Sequence, residues 1–398
     1  MGYMARQAIL DGAEQTYGYE LLYRAAPEPF ARFSDSNVAA HTVLDDLLVF
    51  GCDEISGGRQ LFLNCGYELL NGKGVSLLPR PVVIEILEDV QPDEALLRSL
   101  QELKEGGFLI ALDDFSPNEH TLPLVPLADI IKIDFQANTR ERCAEIVKTH
   151  CTKAISLAEK IETRDEYQAA RQMGCTLFQG YFFAKPAIME TLEVRPLQST
   201  HCRLLAATCK ETMDYAEIER IVKSDVALCY KLLRYLNSVA FCQGCKITSL
   251  RQALVILGER IVRRWIAVGA VTEVCQGRSR ELISTALLRA RFCELLSPQS
   301  GCHPYDLFMA GLFSMMEPIL GVPLSKILTQ VEISPLAKAA LLGQTNRVRK
   351  HLDLVMSYCS GDWTCFQEQC QELQRSPEHA GSAYLEAVRW VNNVVALS

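Results

Sequence analysis

The segment "FLIALDDFSPNEH" (108–120) decides the fold, because it joins an apolar strand to two adjacent aspartates and then to a loop. A strand without polar interruptions is typical of a parallel sheet that is covered on both faces. Polar residues that follow such a strand lie at the carboxyl edge of the sheet, where β/α enzymes carry out their chemistry. The segment therefore predicts a parallel sheet whose edge carries Asp113 and Asp114.

Seven more short apolar segments of this kind occur between residues 6 and 180. They are RQAIL (6–10), YGYELLY (17–23), LFLNC (61–65), VVIEIL (82–87), DIIKID (129–134), KAISLAE (153–159) and TLFQG (176–180). Segments with helical periodicity, such as 93–105 and 164–173, separate most of them. Eight strands that alternate with helices predict a TIM-like β/α barrel. Only "DGAEQT" (11–16) separates the first two strands, which is too short for a helical crossover, so we expect these two to pair antiparallel.

The chain is expected to contain two domains, because 398 residues exceed the usual length of one. The rhythm of strands stops near residue 186, and beyond residue 200 helical spacing dominates, as in 216–238. We therefore predict a barrel over 1–186, a linker over 187–200 and an all-α domain over 201–398.

Composition limits the classes of protein that the chain can form. With 49% hydrophobic and 22% charged residues it can bury sizeable cores. Its longest apolar runs, such as "WIAVGAV" (265–271), fall short of the roughly 20 residues that a membrane span needs. The first residues lack the apolar core of a secretory signal, so we expect a cytoplasmic protein that does not associate with membranes. Residues 201–280 hold 13 Lys and Arg against 7 Asp and Glu, but solvated helices look the same, and nucleic-acid binding is not expected.

Polar side chains stand at or near the end of each predicted strand from the second onward. They are Glu20, Asn64, Glu85, Asp113, Asp114, Lys132, Asp134, Glu159 and Gln179. Six of these nine are carboxylates, which repel one another unless cations neutralise them. Oxygen ligands without histidine indicate Mg²⁺ or Mn²⁺, and adjacent aspartates can serve two metals in phosphodiester hydrolysis. The alternative interpretation is a set of ordinary solvated acids at strand ends.

From "ARQAILDGAEQTYGYELLYR" (5–24) to "FQGYFFAKP" (178–186), the chain resembles the EAL domain of bacterial cyclic di-GMP signalling. "ELLYR" resembles the family's opening Glu-Ala-Leu-Leu-Arg, "FLNC" contains its Asn, and "EILE" resembles its E-x-T-E. "DDF" and "KID" match directly, while "AEKIET" resembles AEGVET and "QGYFFAKP" resembles QGYLFGKP.

This resemblance implies roles for individual residues at a two-metal site for Mg²⁺ or Mn²⁺. The implied metal ligands are Glu20, Asn64, Glu85, Asp113 and Asp114. Glu159 would be the general base or a further ligand, with Lys132 helping to hold the attacking water and its charge. Contacts with cyclic di-GMP would come from Leu22, Arg24, Asp134 and Gln179, and Glu88 would anchor the loop after Asp114.

The chain departs from the family pattern at three places. Leu21 stands where the family has alanine, and Leu87 replaces the threonine of E-x-T-E. The loop "SPNEHTL" (116–122) replaces a glycine-rich GTGYSSL segment, and its Pro117 fixes φ and removes a backbone donor. The ligand set therefore predicts an enzyme, whereas the loop predicts impaired turnover.

The second half resembles the HDOD domain, a helical relative of the HD metal phosphohydrolases. The resemblance rests on "IVKSDVALCYKLLRYLNS" (221–238) and "ITSLRQALVILG" (247–258). Where HD enzymes carry a metal-binding His-Asp pair, this chain has Ser314 and Met315, which cannot replace those ligands. This half is therefore expected to relay a signal to a protein partner rather than to catalyse a reaction.

Two hypotheses about function remain open. In the first, the barrel is a metal-dependent phosphodiesterase that converts cyclic di-GMP to linear pGpG, with the helical half as a relay. In the second, it is a receptor that binds cyclic di-GMP without turnover, or a scaffold for protein interactions. Both leave a homodimer possible.

Overall fold

The computed structural model describes residues 3–24, 51–71, 75, 82–181, 204, 207, 214–223, 252, 258–274, 280–298, 300–331 and 333–397. The predicted linker and most of the two HDOD signature segments lie outside these residues. No helix within these ranges is long and apolar enough to cross a membrane.

Eight strands form a closed barrel in the order of the sequence. They are β1 (Tyr3–Asp11), β2 (Thr16–Arg24), β3 (Gln60–Cys65), β4 (Val82–Ile86), β5 (Leu109–Leu112), β6 (Ile130–Asp134), β7 (Ile155–Glu159) and β8 (Leu177–Gln179). β1 pairs antiparallel with both β2 and β8, and all other neighbours are parallel. The predicted β/α barrel with an antiparallel strand near its start is confirmed.

Helices follow most of the parallel strands. In chain order they are α1 (Cys52–Ser56), α2 (Tyr67–Asn71), α3 (Glu94–Glu105), α4 (Arg140–His150) and α5 (Arg164–Met173), with a 3₁₀ helix at Leu122–Leu127. The three longer α-helices begin at side-chain caps, where Asp93, Thr139 and Thr163 accept a hydrogen bond from a first-turn N–H. Local sequence thus sets where these helices start.

In the later part of the chain the described residues form helices joined by turns, without a strand, as predicted. Its helices are α6 (Tyr215–Lys223), α7 (Glu259–Val274), α8 (Arg280–Leu295), α9 (Pro304–Phe313), α10 (Met316–Leu320), α11 (Leu324–Gln330), α12 (Pro335–Leu341), α13 (Arg347–Ser360), α14 (Trp363–Glu372) and α15 (Pro377–Leu397).

The chain forms two compact units, and the barrel unit includes residues from near the C-terminus. It comprises Met1–Lys185 together with Ser357–Glu368 and Arg375–Leu385, whereas the second unit holds Pro186–Met356, Gln369–Gln374 and Glu386–Ser398. The boundary predicted at 201 assigns all of these late helices to the helical domain. The structure instead places parts of α13, α14 and α15 with the barrel.

Two tyrosine hydroxyls of these late helices satisfy the backbone of β1. The N–H of Arg6 donates to the hydroxyl of Tyr384 at 3.0 Å, and the hydroxyl of Tyr358 donates to the carbonyl of Met4 at 3.1 Å. β8 is short and pairs with β1 only from Ile9 to Asp11, so within the described part of the chain these earlier backbone groups have no strand partner on that side. Because unpaired buried backbone groups are costly, the hydroxyls replace the missing strand.

Aromatic rings surround these two hydrogen bonds. The ring of Tyr358 lies 5.0 Å from that of Phe366 and 4.8 Å from that of Tyr384, and Tyr3 of β1 lies 5.6 Å from Phe366. The two pairs with Phe366 are edge-on and the pair of tyrosines is tilted, and such ring contacts add to the stabilisation from the apolar area that the rings bury. The late helices therefore cover β1 as the crossover helices cover the parallel strands.

We predict that Tyr384→Phe lowers the free energy of unfolding by about 1–3 kcal/mol, because the buried N–H of Arg6 loses its acceptor. Urea unfolding of the full chain measures this change. Tyr17→Phe is the matched control, because within the described ranges its half-buried hydroxyl makes no hydrogen bond. Equal stability of the two variants would contradict the role given to Tyr384.

Candidate active site

The barrel interior contains one apolar layer with a polar layer directly above it. The apolar layer is formed by Ile9, Phe62, Val83, Ala111, Ile130, Leu157 and Leu177. Side chains alternate along a strand, so the residue two positions further on each parallel strand points into the same interior. Those residues are Asn64, Glu85, Asp113, Lys132, Glu159 and Gln179. Period-two geometry thus gathers side chains that are far apart in sequence.

The first two strands complete the polar layer in their own ways. β1 runs in the opposite direction, so its member is Gln7, two positions before Ile9. On β2, Gly18 lies in the apolar layer and Glu20 lies above it. A Cβ at Gly18 would stand 2.7 Å from the carbonyl oxygen of Gln60 and 3.0 Å from the ring of Phe62, so only glycine fits beside that ring.

Lys132 is the centre of the polar layer. Its ammonium lies 2.7 Å from Asp113 Oδ1, 2.8 Å from Glu85 Oε1 and from Glu159 Oε1, and 3.4 Å from Glu20 Oε2. Its side chain is only 1% exposed. Four carboxylates around one ammonium leave an excess of three negative charges when all are ionised.

The pKa values show how this excess is distributed. For Glu20, burial raises the pKa, but Lys132 and hydrogen bonds from Gln179 and Asn64 outweigh burial and hold it below its ordinary value. Burial raises the pKa of Glu85, of Asp113 and of Glu159, the last to about 8, despite the attraction of Lys132. The four carboxylates keep the pKa of Lys132 well above its ordinary value in spite of its burial. One ammonium therefore stabilises the charge of Glu20 but does not neutralise the other three carboxylates.

Two amides orient Glu20 within the layer. Gln179 Nε2 donates to Glu20 Oε2 at 2.6 Å and to Gln7 Oε1 at 3.0 Å, and Asn64 Nδ2 donates to Glu20 Oε1 at 3.1 Å. Their carbonyl oxygens, Asn64 Oδ1 and Gln179 Oε1, are buried and accept no hydrogen bond within the described chain. The same holds for Glu85 Oε2 and Glu159 Oε2.

A second, more exposed ion-pair group lies beside the first. Lys160 Nζ contacts Asp134 Oδ2 at 2.5 Å and the two carboxylate oxygens of Asp114 at 3.2 and 3.3 Å. Asp114 and Lys160 both have left-handed backbones, with φ of 40° and 56°. Such conformations are unfavourable for residues other than glycine and are concentrated at functional sites.

The two groups border a cleft of about 330 Å³. Its lining includes Glu20, Leu22, Asp113, Asp114, Glu159 and Gln179, together with Gln7, Gln136, Lys160, Glu162, Gly180 and Tyr181. Gly180 has φ 142°, and a Cβ there would stand 2.1 Å from the carbonyl oxygen of Ile161, so the floor of the cleft requires glycine. A cleft of this volume lies at the lower end of the range for small-molecule sites.

Most of the predicted site residues meet in or beside this cleft. Arg24 ends β2, and its side chain lies outside the described residues. Glu88 lies in an exposed turn after β4 and, within the described chain, makes no hydrogen bond to the loop 116–122. Leu21 is buried on the opposite face of β2 from Glu20, so it does not line the cleft.

The loop after Asp114 is closed by its own hydrogen bonds. Asn118 Oδ1 accepts from the N–H groups of His120 and Thr121, and the hydroxyl of Thr121 donates to the carbonyl of Ser116 at 2.6 Å. The sequence "SPNEHTL" thus forms a compact turn of its own in place of a glycine-rich loop.

Sequence reasoning missed Lys160, Gln7, Gln136 and Tyr181. Lys160 had a signal, because "AEKIET" places a charge where the resembling motif has glycine, directly after a strand end. Gln7 could have been found by reading β1 in reverse once its antiparallel pairing was expected. Gln136 and Tyr181 lie just beyond strand ends and carry no distinctive signal in the sequence.

The polar layer fits a divalent cation in the kind of its donors, although it is not a preformed metal site. Among the described residues no three acidic, His or Cys side chains already converge as a metal site, and the carboxylates converge on Lys132 instead. The donors nevertheless fit Mg²⁺ or Mn²⁺ in kind, since they are all oxygens, they carry excess negative charge, and several are buried without a hydrogen bond. The residues that fit are Glu20, Asn64, Glu85 and Asp113, with Glu159 beside them.

In the helical half, the positions of the HD metal pair carry no such donors. Ser314 ends α9, and its hydroxyl donates to the carbonyl of Gly311 at 2.7 Å, while Met315 is buried. These contacts are those of a helix end packed in a core.

A β/α barrel with an acidic, lysine-centred cleft, followed by helices, defines a two-part protein whose candidate site lies in its first part. Comparison with known proteins identifies the family. A model of the EAL domain matches residues 74–186, and a model of the HDOD domain matches 195–322.

Two relatives match along nearly the whole chain. The cyclic di-GMP phosphodiesterase CdgJ of Vibrio cholerae is 32% identical over 98% of this chain and 93% of its own. The uncharacterized protein YuxH of Bacillus subtilis is 34% identical over 99% and 98%. The chain therefore belongs to the family of proteins that join an EAL domain to an HDOD domain, and both resemblances found in the sequence are confirmed.

Among solved structures, a manganese and cyclic di-GMP complex of BlrP1 from Klebsiella pneumoniae is 24% identical. The match covers 45% of this chain and 54% of that one, with a TM-score of 0.38. It is thus confined to about half of each chain.

We predict that Glu159→Gln changes stability in a pH-dependent manner in metal-free buffer. Because the folded pKa of Glu159 is raised to about 8 from an ordinary 4.5, its contribution to stability is full below pH 4.5 and is lost as the pH rises through 8. Glutamine mimics the protonated form. The variant should therefore melt higher than the wild type at pH 9 and nearly the same at pH 5.

Scanning calorimetry of the full chain in EDTA measures this difference. The control is Glu145→Gln on α4, whose carboxylate is 63% exposed and pairs with Arg142 at the surface. If the melting temperatures of variant and wild type differ by the same amount at pH 5 and pH 9, Glu159 does not titrate between these two pH values.

Proposed function

We propose that the barrel hydrolyses cyclic di-GMP to linear pGpG with the help of a divalent cation, Mg²⁺ or Mn²⁺. The observation that carries this proposal is the buried polar layer, in which four carboxylates face one ammonium and several oxygens have no hydrogen-bond donor. Membership of the EAL–HDOD family and the name of the relative CdgJ support the choice of substrate.

In this mechanism Glu20, Asn64, Glu85 and Asp113 would hold the cation. A cation bound there neutralises the phosphate and makes a bound water more acidic. Glu159 is the residue to accept the proton of the attacking water, because its pKa of about 8 lies near the working pH of a general base. The reaction consumes one water and breaks one P–O bond, and the departing ribose oxygen gains a proton.

Other residues of the chain position the reacting groups. Lys132 holds Glu159 and Asp113 at 2.8 and 2.7 Å, so its role is to fix the base and to limit repulsion around the phosphate. Gln179 holds Glu20 in place and, with Leu22 and Tyr181, lines the cleft that would receive the nucleotide. Arg24 and Asp134 remain the predicted contacts to the substrate, and Glu88 remains the predicted loop anchor.

The helical half is proposed to be a non-catalytic relay that binds a protein partner. The buried Met315 and the internally bonded Ser314 support the absence of a second metal phosphohydrolase site at those two positions. A cytoplasmic location and a homodimer are also part of the proposal.

We predict that Asp113→Ala abolishes formation of pGpG, reducing the rate at least 100-fold, while the chain still folds. The pKa of Asp113 is raised by burial, so its charge is not needed for the fold but is available to a cation. The assay incubates pure protein with cyclic di-GMP and Mg²⁺ or Mn²⁺ and separates the products by chromatography. Asp165→Ala, on the exposed first turn of α5, is the control.

The same assay separates the hypotheses when it is run beside a binding titration. Product from the wild type supports the enzyme, and unchanged activity of Asp113→Ala would remove this residue from the site. Nucleotide binding without product would establish the receptor, and neither binding nor product would establish the scaffold.

The receptor is favoured by one observation, the self-bonded loop 116–122 that makes no hydrogen bond to Glu88 within the described chain. If this loop limits turnover, grafting GTGYSSL in its place should raise the rate of pGpG formation about tenfold, equivalent to about 1.4 kcal/mol of transition-state stabilisation. Affinity for cyclic di-GMP should change less. A folded graft with no faster rate would show that the loop is not limiting.

A further inference from the structure

The two acidic groups of the rim differ in whether their oxygens are already satisfied. In the group around Lys132, Glu85 Oε2, Glu159 Oε2 and Asn64 Oδ1 are buried and accept no hydrogen bond from the described residues. In the group around Lys160, every carboxylate oxygen has a donor. Both oxygens of Asp114 accept from Lys160, as does Asp134 Oδ2, and Asp134 Oδ1 accepts from the backbone N–H groups of Gln136 and Ala137.

The two groups also differ in charge. Four carboxylates share the ammonium of Lys132, which leaves three negative charges, whereas two carboxylates share Lys160, which leaves one. A divalent cation is drawn to the larger excess and to oxygens without donors. The neighbourhood of Asp114 offers neither to the same degree.

The backbone holds Lys160 in this position. It follows Glu159 at the end of β7 with φ 56°, and its carbonyl accepts from Gln136 Nε2 at 3.4 Å. Asp134, on the neighbouring strand β6, is oriented by the N–H groups of Gln136 and Ala137 and presents its other oxygen to Lys160. The ammonium is therefore placed between Asp134 and Asp114 by two strand ends and the turn after β6.

We propose that Lys160 is a resident cation that takes the place of a second metal ion, so that the rim binds one divalent cation, at the Lys132 group, and Asp114 pairs with Lys160. The inference rests on the proposed metal-dependent function, and it narrows the two-metal site expected from the sequence. Asp113 would be a ligand of the metal ion, and the adjacent Asp114 would form an ion pair with Lys160. The ammonium offers a fixed single charge where a second metal would offer an exchangeable double charge.

The test counts metal ions directly on the full chain. Purified metal-free protein is titrated with Mn²⁺ alone, and free Mn²⁺ is followed by electron paramagnetic resonance. We expect one tight site per chain in the wild type. Lys160→Gly should bind two, with the second site at least tenfold tighter than any second site of the wild type, because Asp114 and Asp134 lose their counter-charge.

Matched variants separate the charge from other effects. Lys160→Arg keeps the cation and should bind one Mn²⁺. Lys160→Gln removes the charge but keeps a long side chain, and it should bind two Mn²⁺ ions. It therefore tests the charge independently of any loosening of the turn by glycine. Lys153→Gly removes a lysine just before the amino end of β7, at the opposite end of that strand, and should bind one. Glycine at position 160 suits the left-handed backbone, so this variant should fold.

The outcomes distinguish the inference from the function on which it rests. Two tight sites in the wild type, or one site in both Lys160→Gly and Lys160→Gln, would overturn the role of Lys160 and leave metal-dependent hydrolysis in place. No tight Mn²⁺ in any variant would overturn the metal proposal and this inference together.

Discussion

The contact on which the rest of the site depends is that of the Lys132 ammonium with four carboxylates, three on the strands β2, β4 and β7 and one, Asp113, directly after β5. Each pair is 3.4 Å or closer, and the lysine side chain is almost fully buried. Without this ammonium the interior of the barrel would hold four carboxylates in a region of low dielectric, which the apolar layer beneath could not offset. The arrangement keeps the acids close together and still short of positive charge. That shortage is what makes the polar layer suitable for a cation and a phosphate.

Much of this architecture follows from the sequence because, in a barrel, residues at equivalent positions of neighbouring strands lie close together. Each parallel strand carries an apolar residue and, two positions later, a polar one, as in Ala111 and Asp113 or Leu157 and Glu159. Knowing that strands lie side by side is then enough to predict that these side chains meet. The closed barrel and its antiparallel pair were accessible in this way, whereas the EAL–HDOD family was accessible through its motifs.

Other features depend on information that a strand pattern does not contain. Gln7 belongs to the polar layer because β1 runs antiparallel to the other strands. Its polar residue therefore lies two positions before the apolar Ile9 and not two positions after it. The contact of Lys160 with Asp114 and Asp134 depends on a left-handed backbone and on a turn after another strand. The late helices that join the barrel through Tyr358 and Tyr384 depend on chain segments that lie more than 350 residues from their partners in β1. Long-range packing of this kind has no local signal.

The tyrosine contacts to β1 also bear on how the protein is made. The barrel unit is discontinuous, and its last segment ends at Leu385. On a ribosome that adds about 5–20 residues per second, the roughly 200 residues after Lys185 take about 10–40 s to appear. During that time the nascent barrel has all eight strands but not the helices that satisfy Met4 and Arg6. Until then the first strand exposes the unsatisfied backbone groups of Met4 and Arg6 and the ring of Tyr3, and exposed strand edges and apolar surface of this kind promote association between incompletely folded chains.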